Sequence, residues 1–285
     1  MQKIIQKAKD FNELVMFEHS IFSLPFIFIA MLVAADGWFG WWLLLMGLFA
    51  ALSARNFAMG VNRYVDRDID IKNERTKNRP NVDGRIDSGS LMIFILVNAF
   101  VFIGVAYMIN TLAFSLSIPI LIILGGYSYF KRFSSWAHIV LGISLGLAPI
   151  AGVVAVSATI PVWSVILSLG VTFWVAGFDL LYSLQDMDFD KENNLHSIPA
   201  KYGTDATLRL SGFFHILSIL FWLLFVWSAG LGIFAFVAVF ASAIMLWYEH
   251  YIVRKDFTQI DRAFFTLNGY LGIAFLFFII LDKVV

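Results

Sequence analysis

The chain has 285 residues, of which 60% are hydrophobic, 17% aromatic and 14% charged, and it contains no cysteine. Soluble domains carry roughly 45–50% apolar and about 25% charged residues, so this composition is typical of a polytopic membrane protein. The formal net charge is zero, which gives no argument for nucleic-acid binding. Without cysteine there is no disulfide or thiolate, and a bound metal would need oxygen or imidazole ligands.

Nine apolar runs follow one another, each of about 20 residues, the length that crosses a ~30 Å hydrocarbon core as a helix. They are 17–36, 39–62, 91–109, 111–130, 138–158, 161–182, 210–229, 231–250 and 263–282. The polar segment 1–16 predicts a short interfacial helix, not a cleavable signal peptide. The sequence therefore predicts an all-α membrane protein forming one domain over 1–285.

Almost all lysine and arginine residues lie on one side of the predicted membrane. They occupy the N-terminus and the connections around 63–90, 131–137, 183–209 and 251–262. The opposite connections, near 36–37, 110–111, 157–161 and 229–230, are short and carry none. By the positive-inside rule the basic side is cytoplasmic, and nine spans then place the C-terminus outside.

An amide and two carboxylates stand four residues apart where the second apolar run ends: Asn62, Asp66 and Asp70, the first row. On a helix these positions share one face. Like charges at this spacing destabilise a helix, and carboxylates near its C-terminus oppose its dipole, so the row needs a cationic partner. Few carboxylates together with substrate phosphates suit Mg²⁺. A lone aspartate here would more often be a solvated surface charge.

A second row, Tyr182, Asp186 and Asp190, ends the sixth apolar run. Each row precedes a long polar connection, 71–89 and 191–207. Because the rows lie four spans apart, we expect pseudo-repeat halves, about 17–130 and 138–250, with a ninth helix at 263–282. Both rows would then build one site. Asp68 and Asp188 lie off the rows and are expected to face elsewhere.

Two charged residues lie inside apolar helices. Arg55 stands seven residues before Asn62 and Asp179 seven before Asp186, so each is expected to share the face of its row. A charge inside the membrane is costly and indicates function, although Arg55 could instead snorkel to the interface. Asp179 could pair with Arg55 or Arg132, or only hydrogen-bond between helices. His138 and His250, at helix ends, are predicted to pack at the interface.

The two rows, in order, resemble the motifs of the UbiA superfamily of intramembrane aromatic prenyltransferases. The supporting segments are Arg75-Thr76-Lys77-Asn78-Arg79-Pro80 after the first row and Lys131-Arg132 after Tyr127 and Tyr129. The chain most resembles bacterial 4-hydroxybenzoate polyprenyltransferases, and two further segments are similar to quinone-making members: Phe17-Glu18-His19-Ser20 and Leu195-His196-Ser197-Ile198-Pro199. His196 stands where benzoate enzymes often carry lysine, so a dihydroxynaphthoate acceptor is the alternative.

The resemblance implies Mg²⁺-dependent transfer of a polyprenyl group from polyprenyl diphosphate to an aromatic hydroxy acid, for ubiquinone or menaquinone biosynthesis. It implies a central cavity open to the cytoplasm and to lipid, in the inner membrane, with two Mg²⁺ ions bridging the diphosphate. The implied metal ligands are Asp66, Asp70, Asp186, Asp190 and Asn62. Implied substrate-binding residues are Arg55 and Lys131 for the diphosphate, Arg132 for the acceptor carboxylate, and Tyr127 and Tyr182 for the allylic cation or the diphosphate. Lys131 and Arg132 could exchange roles, and Asp179 could help remove the ring proton.

The main rival is a transporter that uses intramembrane carboxylates. It predicts ionisable residues near the bilayer midplane, whereas most acids here cluster at one membrane face. A non-catalytic lipid-binding scaffold would not need two matched polar rows. The expected partners are the two substrates and membrane lipid, without nucleic acid or an obligate protein partner.

Overall fold

A computed structural model describes residues 2–16 and 24–285, and over these residues it is helical with no strand. The α-helices are α1 (Gln2–Val15), α2 (Leu24–Ala34), α3 (Trp41–Val65), α4 (Arg67–Asp70), α5 (Ser88–Ile109), α6 (Thr111–Gly126), α7 (Ala137–Ser157), α8 (Val162–Ser183), α9 (Met187–Glu192), α10 (Ile198–Ser228), α11 (Ile233–Lys255) and α12 (Asn268–Val284). Shorter 3₁₀ and π turns join some of them, at Tyr127–Arg132, Leu184–Asp186, Phe257–Gln259 and Arg262–Leu267. The predicted all-α class is confirmed.

Eight helical segments in the described part of the chain are long and apolar enough to cross a membrane. They are Trp41–Val65, Ser88–Ile109, Thr111–Arg132, Ala137–Ser157, Val162–Glu192, Ile198–Ser228, Ile233–Lys255 and Phe257–Val284. The first predicted span, 17–36, appears only as the 11-residue apolar helix α2. Residues 17–23, which include the Phe17-Glu18-His19-Ser20 segment, lie outside the described residues. The difference between nine and eight spans does not change the fold class.

Helix α8 forms the centre of the bundle because small residues let its neighbours approach closely. A Cβ on Gly170 would lie 2.4 Å from the Trp222 ring of α10, and one on Gly177 would lie 2.3 Å from the His215 ring. Small residues at such crossings let helices pack tightly where lipid offers no hydrophobic driving force. Beside them, Trp174 donates a hydrogen bond of 2.7 Å to Oδ1 of Asn268 on α12. These contacts fix α8, which carries the second row.

Both rows contain a break in the helix at their middle aspartate. Helix α3 ends at Val65, and Asp66 has φ −88° and ψ 1° before α4 begins. Asp186 has φ −100° and ψ 4° before α9 begins. This sparsely populated backbone region is common at functional residues. Each row is therefore interrupted at its middle residue, yet all of its members line a common cavity. The division into two related halves stays a prediction.

The connection after α4 folds back over the end of α3. The side-chain Nδ2 of Asn81 donates to the backbone carbonyl oxygen of Arg63 at 2.9 Å. The backbone carbonyl oxygen of Asn81 accepts from Nε of Arg67 at 2.9 Å. Thr76 Oγ1 donates to the carbonyl oxygen of Asp70 at 3.0 Å. Asn81 and Thr76 are both buried. This folding brings the basic residues of the connection back to the first row.

Candidate active site

One cavity of about 660 Å³ is lined by residues of both rows. Its walls come from α3, α6, α7 and α8, with contributions from α4, α9 and the two long connections. Below the rows the lining is mainly aliphatic, and includes Ala51, Ala54, Ile120, Leu124, Leu145 and Ala148. A polar mouth above an apolar interior suits an amphipathic molecule with an anionic head.

The centre of the polar mouth is Asp66, which is 2% exposed. Its Oδ2 lies 2.7 Å from Nζ of Lys131 and accepts a 2.8 Å hydrogen bond from Nδ2 of Asn62. Its Oδ1 is buried without a hydrogen-bond partner. Burial raises the pKa of Asp66 above its ordinary range, and Lys131 partly offsets this. A carboxylate in this position with one unpartnered oxygen can accept a further cation.

Two arginines of the first long connection bind one aspartate from each row. Arg79 Nη1 lies 2.7 Å from both carboxylate oxygens of Asp70. Arg75 makes an ion pair with Asp186, and its Nη1 donates to Oη of Tyr182 at 2.9 Å. The first long connection therefore joins the two rows, as the prediction of one shared site requires.

The donor set fits a hard cation, because the side chains of the rows offer carboxylate and amide oxygens. In the described residues, no three acidic or imidazole side chains converge closely enough to hold a metal as they stand. The reason is visible in the ion pairs: lysine and arginine groups occupy the carboxylates of Asp66, Asp70 and Asp186. The unpartnered Oδ1 of Asp66 is the oxygen left for a cation. Asp190 lines the same cavity.

Arg55 lies in the cavity wall, two turns inward of Asn62. Its Nη2 donates to the carbonyl oxygens of Val15 and Met16, at 3.3 and 2.9 Å, while its Nε is buried without a partner. It lines the cavity. A buried guanidinium that meets only neutral acceptors is a strong attractor for an anion.

Arg132 is placed differently from its neighbour Lys131. Its guanidinium donates to both carboxylate oxygens of Asp68, at 2.6 and 3.0 Å, and to the carbonyl oxygen of Val65 at 2.6 Å. Hydrogen bonds from Arg132 lower the pKa of Asp68. Neither Arg132 nor Asp68 lines the cavity. Asp68 thus faces away from the site, and the guanidinium expected to clamp an acceptor is held outside the cavity.

Asp179 lines the cavity, as its spacing from Asp186 predicts, but its partner is neither Arg55 nor Arg132. His138 Nδ1 lies 2.7 Å from Asp179 Oδ2. The expectation that His138 packs at the interface is wrong, since it lines the cavity too. His250 lies near the end of its helix, and its Nε2 is 3.0 Å from Nδ1 of the buried His215, so its predicted role stays a prediction.

Tyr127 and Tyr182 both line the cavity, whereas Tyr129 is half exposed and does not. Tyr182 stacks on Phe264 with ring centroids 4.2 Å apart, and the Arg75 guanidinium carbon lies 5.3 Å from its ring centre. Stacking and the cation hold the ring in place. The positions of these two tyrosines are compatible with contact to a bound substrate.

Several cavity residues were not singled out from the sequence. The sequence predicts Arg75 and Arg79 only as part of the basic segment after the first row, where the positive-inside rule explains them equally well, and it does not predict Asn73. Asn73 donates to Asp186 at 3.1 Å. Arg63 lines the cavity although only 4% of it is exposed. The available signal was the density of basic and amide groups directly after the first row.

Together these features define a class: an integral membrane protein of the α-helical type with an acid–base cluster at the mouth of an apolar cavity. The model of the UbiA prenyltransferase family matches residues 23–279. The chain belongs to the UbiA prenyltransferase family, so the prediction of an enzyme is confirmed and the transporter hypothesis falls.

Curated relatives agree with this assignment. The 4-hydroxybenzoate octaprenyltransferase of Burkholderia ambifaria is 29% identical over 245 residues, covering 85% of this chain and 83% of its own. The 4-hydroxybenzoate octaprenyltransferase of Herminiimonas arsenicoxydans is 27% identical over 257 residues, 90% of each chain.

Solved structures share the fold. The apo structure of a UbiA homolog from Aeropyrum pernix K1 superimposes with a TM-score of 0.85 at 29% identity, over 94% of this chain and 98% of that one. A UbiA homolog from Archaeoglobus fulgidus, bound to GPP and Mg²⁺, gives 0.76 at 19% identity, over 95% and 99%. The second likeness, at its low identity, bears on the fold alone.

Proposed function

We propose that this protein transfers a polyprenyl group from polyprenyl diphosphate to a 4-hydroxybenzoate-type acid with the help of Mg²⁺. The observation that carries the proposal is that both acidic rows line one cavity with a charged mouth and an apolar interior. A polyprenyl diphosphate has the same two parts, an anionic head and an apolar tail. The octaprenyltransferase relatives support the same chemistry.

The charges of the cavity favour joint binding of diphosphate and metal. Its lining carries as many basic as acidic side chains, namely Arg55, Arg63, Arg75, Arg79 and Lys131 against Asp66, Asp70, Asp179, Asp186 and Asp190. A diphosphate alone would add several uncompensated negative charges, and divalent cations alone would add positive ones. Bound together they leave the cavity nearly balanced.

In this proposal Asp66, Asp70, Asp186 and Asp190 hold two Mg²⁺ ions, with Asn62 orienting Asp66. When bound, Mg²⁺ supplies charge stabilisation for the departing diphosphate. Arg75, Arg79 and Lys131 release their carboxylates and turn to phosphate oxygens. They thereby stabilise negative charge that develops as the allylic C–O bond ionises.

The acceptor would lie deeper in the cavity than the diphosphate. Arg55 and Arg63 both line the cavity without an ion pair, but Arg63 is buried and donates to Asn62, whereas Arg55 is half-buried and donates to carbonyl oxygens. Arg55 therefore suits a carboxylate with two parallel hydrogen bonds. We therefore favour Arg55 for this role over Arg132, whose guanidinium holds Asp68. Tyr127 and Tyr182 can face the allylic cation.

A dihydroxynaphthoate is the second candidate acceptor. The observation that favours it is His196, which lines the cavity and whose backbone N–H donates to the carbonyl oxygen of Lys131 at 2.8 Å. The charge distribution supports a cavity mouth in the cytoplasm, with the protein in the inner membrane.

The test uses purified protein, a radiolabelled polyprenyl diphosphate, Mg²⁺ and a panel of benzoates and naphthoates. We expect prenylated product from wild type, none after Mg²⁺ chelation, and a loss of about 10²-fold or more in Asp66→Ala and Asp186→Asn. Asp188→Asn is the matched control, because Asp188 is exposed and does not line the cavity. Absence of product from wild type with every acceptor would refute the proposal.

A further inference from the structure

The buried His138 and the half-buried Asp179 form a pair in the cavity wall that the diphosphate chemistry does not use. His138 is the second residue of α7, and Asp179 lies on α8 two turns inward of Asp186. Both line the cavity. The pair is thus close to the rows yet separate from them, at a depth where an acceptor rather than a diphosphate would lie.

The geometry fixes how the proton between the two side chains is shared. His138 Nδ1 lies 2.7 Å from Asp179 Oδ2, and His138 Nε2 is buried with no hydrogen-bond partner. A protonated imidazole would bury an unsatisfied N–H, which is costly, whereas a neutral ring leaves only a lone pair there. The unpartnered Nε2 therefore favours the tautomer whose Nδ1–H donates to the Asp179 carboxylate, with the lone pair on Nε2.

The second oxygen of that carboxylate is available to a ligand. His138 is 6% exposed, so it is enclosed by protein, whereas 21% of the Asp179 side chain is exposed in the cavity wall. A base must lie within hydrogen-bond reach of the proton that it accepts. In the proposed arrangement Asp179 Oδ1 would face the acceptor hydroxyl, while the enclosed His138 holds Oδ2.

Arg55 gives this depth of the cavity a second anchor. It lies seven residues before Asn62, as Asp179 lies seven before Asp186, so each half contributes one charged side chain two turns inward of its row. One is cationic and one anionic. An aromatic acid with a carboxylate at one end and a hydroxyl at the other matches this pair of charges.

We infer that Asp179 accepts the hydroxyl proton of the aromatic acceptor, and that His138 is the positioning residue that orients the carboxylate. This inference rests on the proposed function. It adds a proton acceptor for the reaction and requires a free hydroxyl on the acceptor, at the end opposite the carboxylate.

The proposed step balances in atoms and electrons. The allylic C–O bond breaks and its electron pair leaves with the diphosphate, while the ring carbon beside the hydroxyl forms the new C–C bond. The hydroxyl proton passes to Asp179 Oδ1, leaving a neutral dienone. Loss of the proton on the substituted ring carbon to solvent restores the aromatic ring, and the resulting phenolate takes back the proton from Asp179. One proton is released in total.

The kinetic test compares three variants of the full-length protein: Asp179→Asn, His138→Leu and His138→Asn. The Asn side chain places an N–H close to the position of Nδ1, so it keeps the donor to Asp179. We expect about 10²-fold loss of kcat in Asp179→Asn and about tenfold or greater loss in acceptor kcat/KM for His138→Leu. His138→Asn should stay within about threefold of wild type, and the KM for diphosphate should not change in any variant.

A binding test does not depend on turnover. Calorimetric titrations use 4-hydroxybenzoate, a dihydroxynaphthoate and their O-methyl ethers as probes, with Mg²⁺ and a non-reactive thiolodiphosphate present. Wild type should prefer the hydroxy acids to their ethers by about tenfold, and His138→Leu should lose that preference.

The outcomes separate this inference from the proposed function. If wild type preferred the hydroxy acids but formed no prenylated product, the proposed function would be refuted. The contact of the His138–Asp179 pair with the hydroxyl would still stand. Equal binding of hydroxy acids and ethers would overturn the pair's role, as would wild-type kinetics in Asp179→Asn or His138→Leu. A His138→Asn variant as impaired as His138→Leu would show that the donor to Asp179 is not what the reaction needs from His138.

Discussion

Arg55 and Arg132 show how neighbouring partners decide the role of an arginine. Both could clamp a carboxylate by chemistry alone. The Arg132 guanidinium donates its hydrogen bonds to Asp68 and to a carbonyl oxygen, whereas Arg55 donates only to carbonyl oxygens and lines the cavity. The sequence could place Arg55 on the cavity face by its spacing, but the Asp68 contact arises from tertiary packing that spacing does not encode.

The two arginines should therefore differ in their effect on the acceptor. Arg55→Ala is expected to raise the KM for a carboxylated acceptor by about tenfold or more, because a charge-assisted hydrogen-bond pair is lost. Arg132→Ala should change that KM by less than about threefold. Steady-state kinetics at saturating diphosphate measure both. If Arg132→Ala raised this KM more than Arg55→Ala did, Arg132 and not Arg55 would bind the acceptor carboxylate.

We expect Lys131 to influence the pH at which the site loses its affinity for Mg²⁺. Burial raises the pKa of Asp66 and Lys131 partly counters it, so protons compete with a cation for this carboxylate at a higher pH than for an exposed aspartate. Lys131→Met should raise the pKa of Asp66 further. The loss of Mg²⁺ affinity on acidification should then begin at a higher pH in Lys131→Met than in wild type.

The measurement is the Mg²⁺ concentration for half-maximal turnover, taken between about pH 5 and 8. Lys201→Met, which removes an exposed lysine outside the cavity, is the control. An unchanged acid limb in Lys131→Met would show that Lys131 does not govern the ionisation of Asp66.

At the scale of helices, apolar length predicted the spans well, because crossing a bilayer constrains helix length strongly. It could not predict the breaks at Asp66 and Asp186, since those depend on connections that fold back over the helix ends. The same folding explains why the partners of Arg75 and Arg79 could not be predicted from the sequence. Their partners, Asp186 and Asp70, are set by the fold of the connection.

Packing between α8 and α10 should be sensitive to one methyl group at Gly177. A Cβ there would lie 2.3 Å from the His215 ring, so Gly177→Ala must displace a buried side chain. We expect it to lower the free energy of unfolding by about 1–3 kcal/mol. Thermal unfolding in detergent, read as a shift in Tm, measures this.

Gly104→Ala on α5 is the matched control, because a Cβ there meets nothing within 4 Å. Alanine should leave stability unchanged or raise it by up to about 1 kcal/mol through helix propensity. His215→Ala should partly rescue Gly177→Ala if the two side chains compete for the same space. An unaltered Tm in Gly177→Ala would contradict the close packing of these helices.

For the whole molecule, the charge asymmetry of the connections predicts which face of the membrane carries the cavity mouth. The chain contains no cysteine, so single cysteines can report accessibility without further changes. Thr159→Cys, in an exposed connection without basic residues, should react with an impermeant maleimide in intact spheroplasts. Glu74→Cys, exposed beside the cavity mouth, should react only after permeabilisation. The opposite pattern would invert the orientation.

The sequence predicted the all-α membrane fold and the shared cavity because composition, span length and two spaced rows all depend on local pattern. It left open which basic residue meets which acid, because pairs such as Lys131 with Asp66 and Arg75 with Asp186 join residues more than 60 positions apart. Long-range pairing is fixed by the packed bundle alone.

The central claim is that the two rows act as one diphosphate–metal site. Equilibrium binding of a polyprenyl thiolodiphosphate, with and without Mg²⁺, tests it in wild type, Asp66→Asn, Asp186→Asn and the double variant. We expect either single substitution to abolish most of the Mg²⁺-dependent binding. The double variant should then lose little more of this binding than each single variant. Additive losses, or full Mg²⁺-dependent binding with either row disabled, would contradict it.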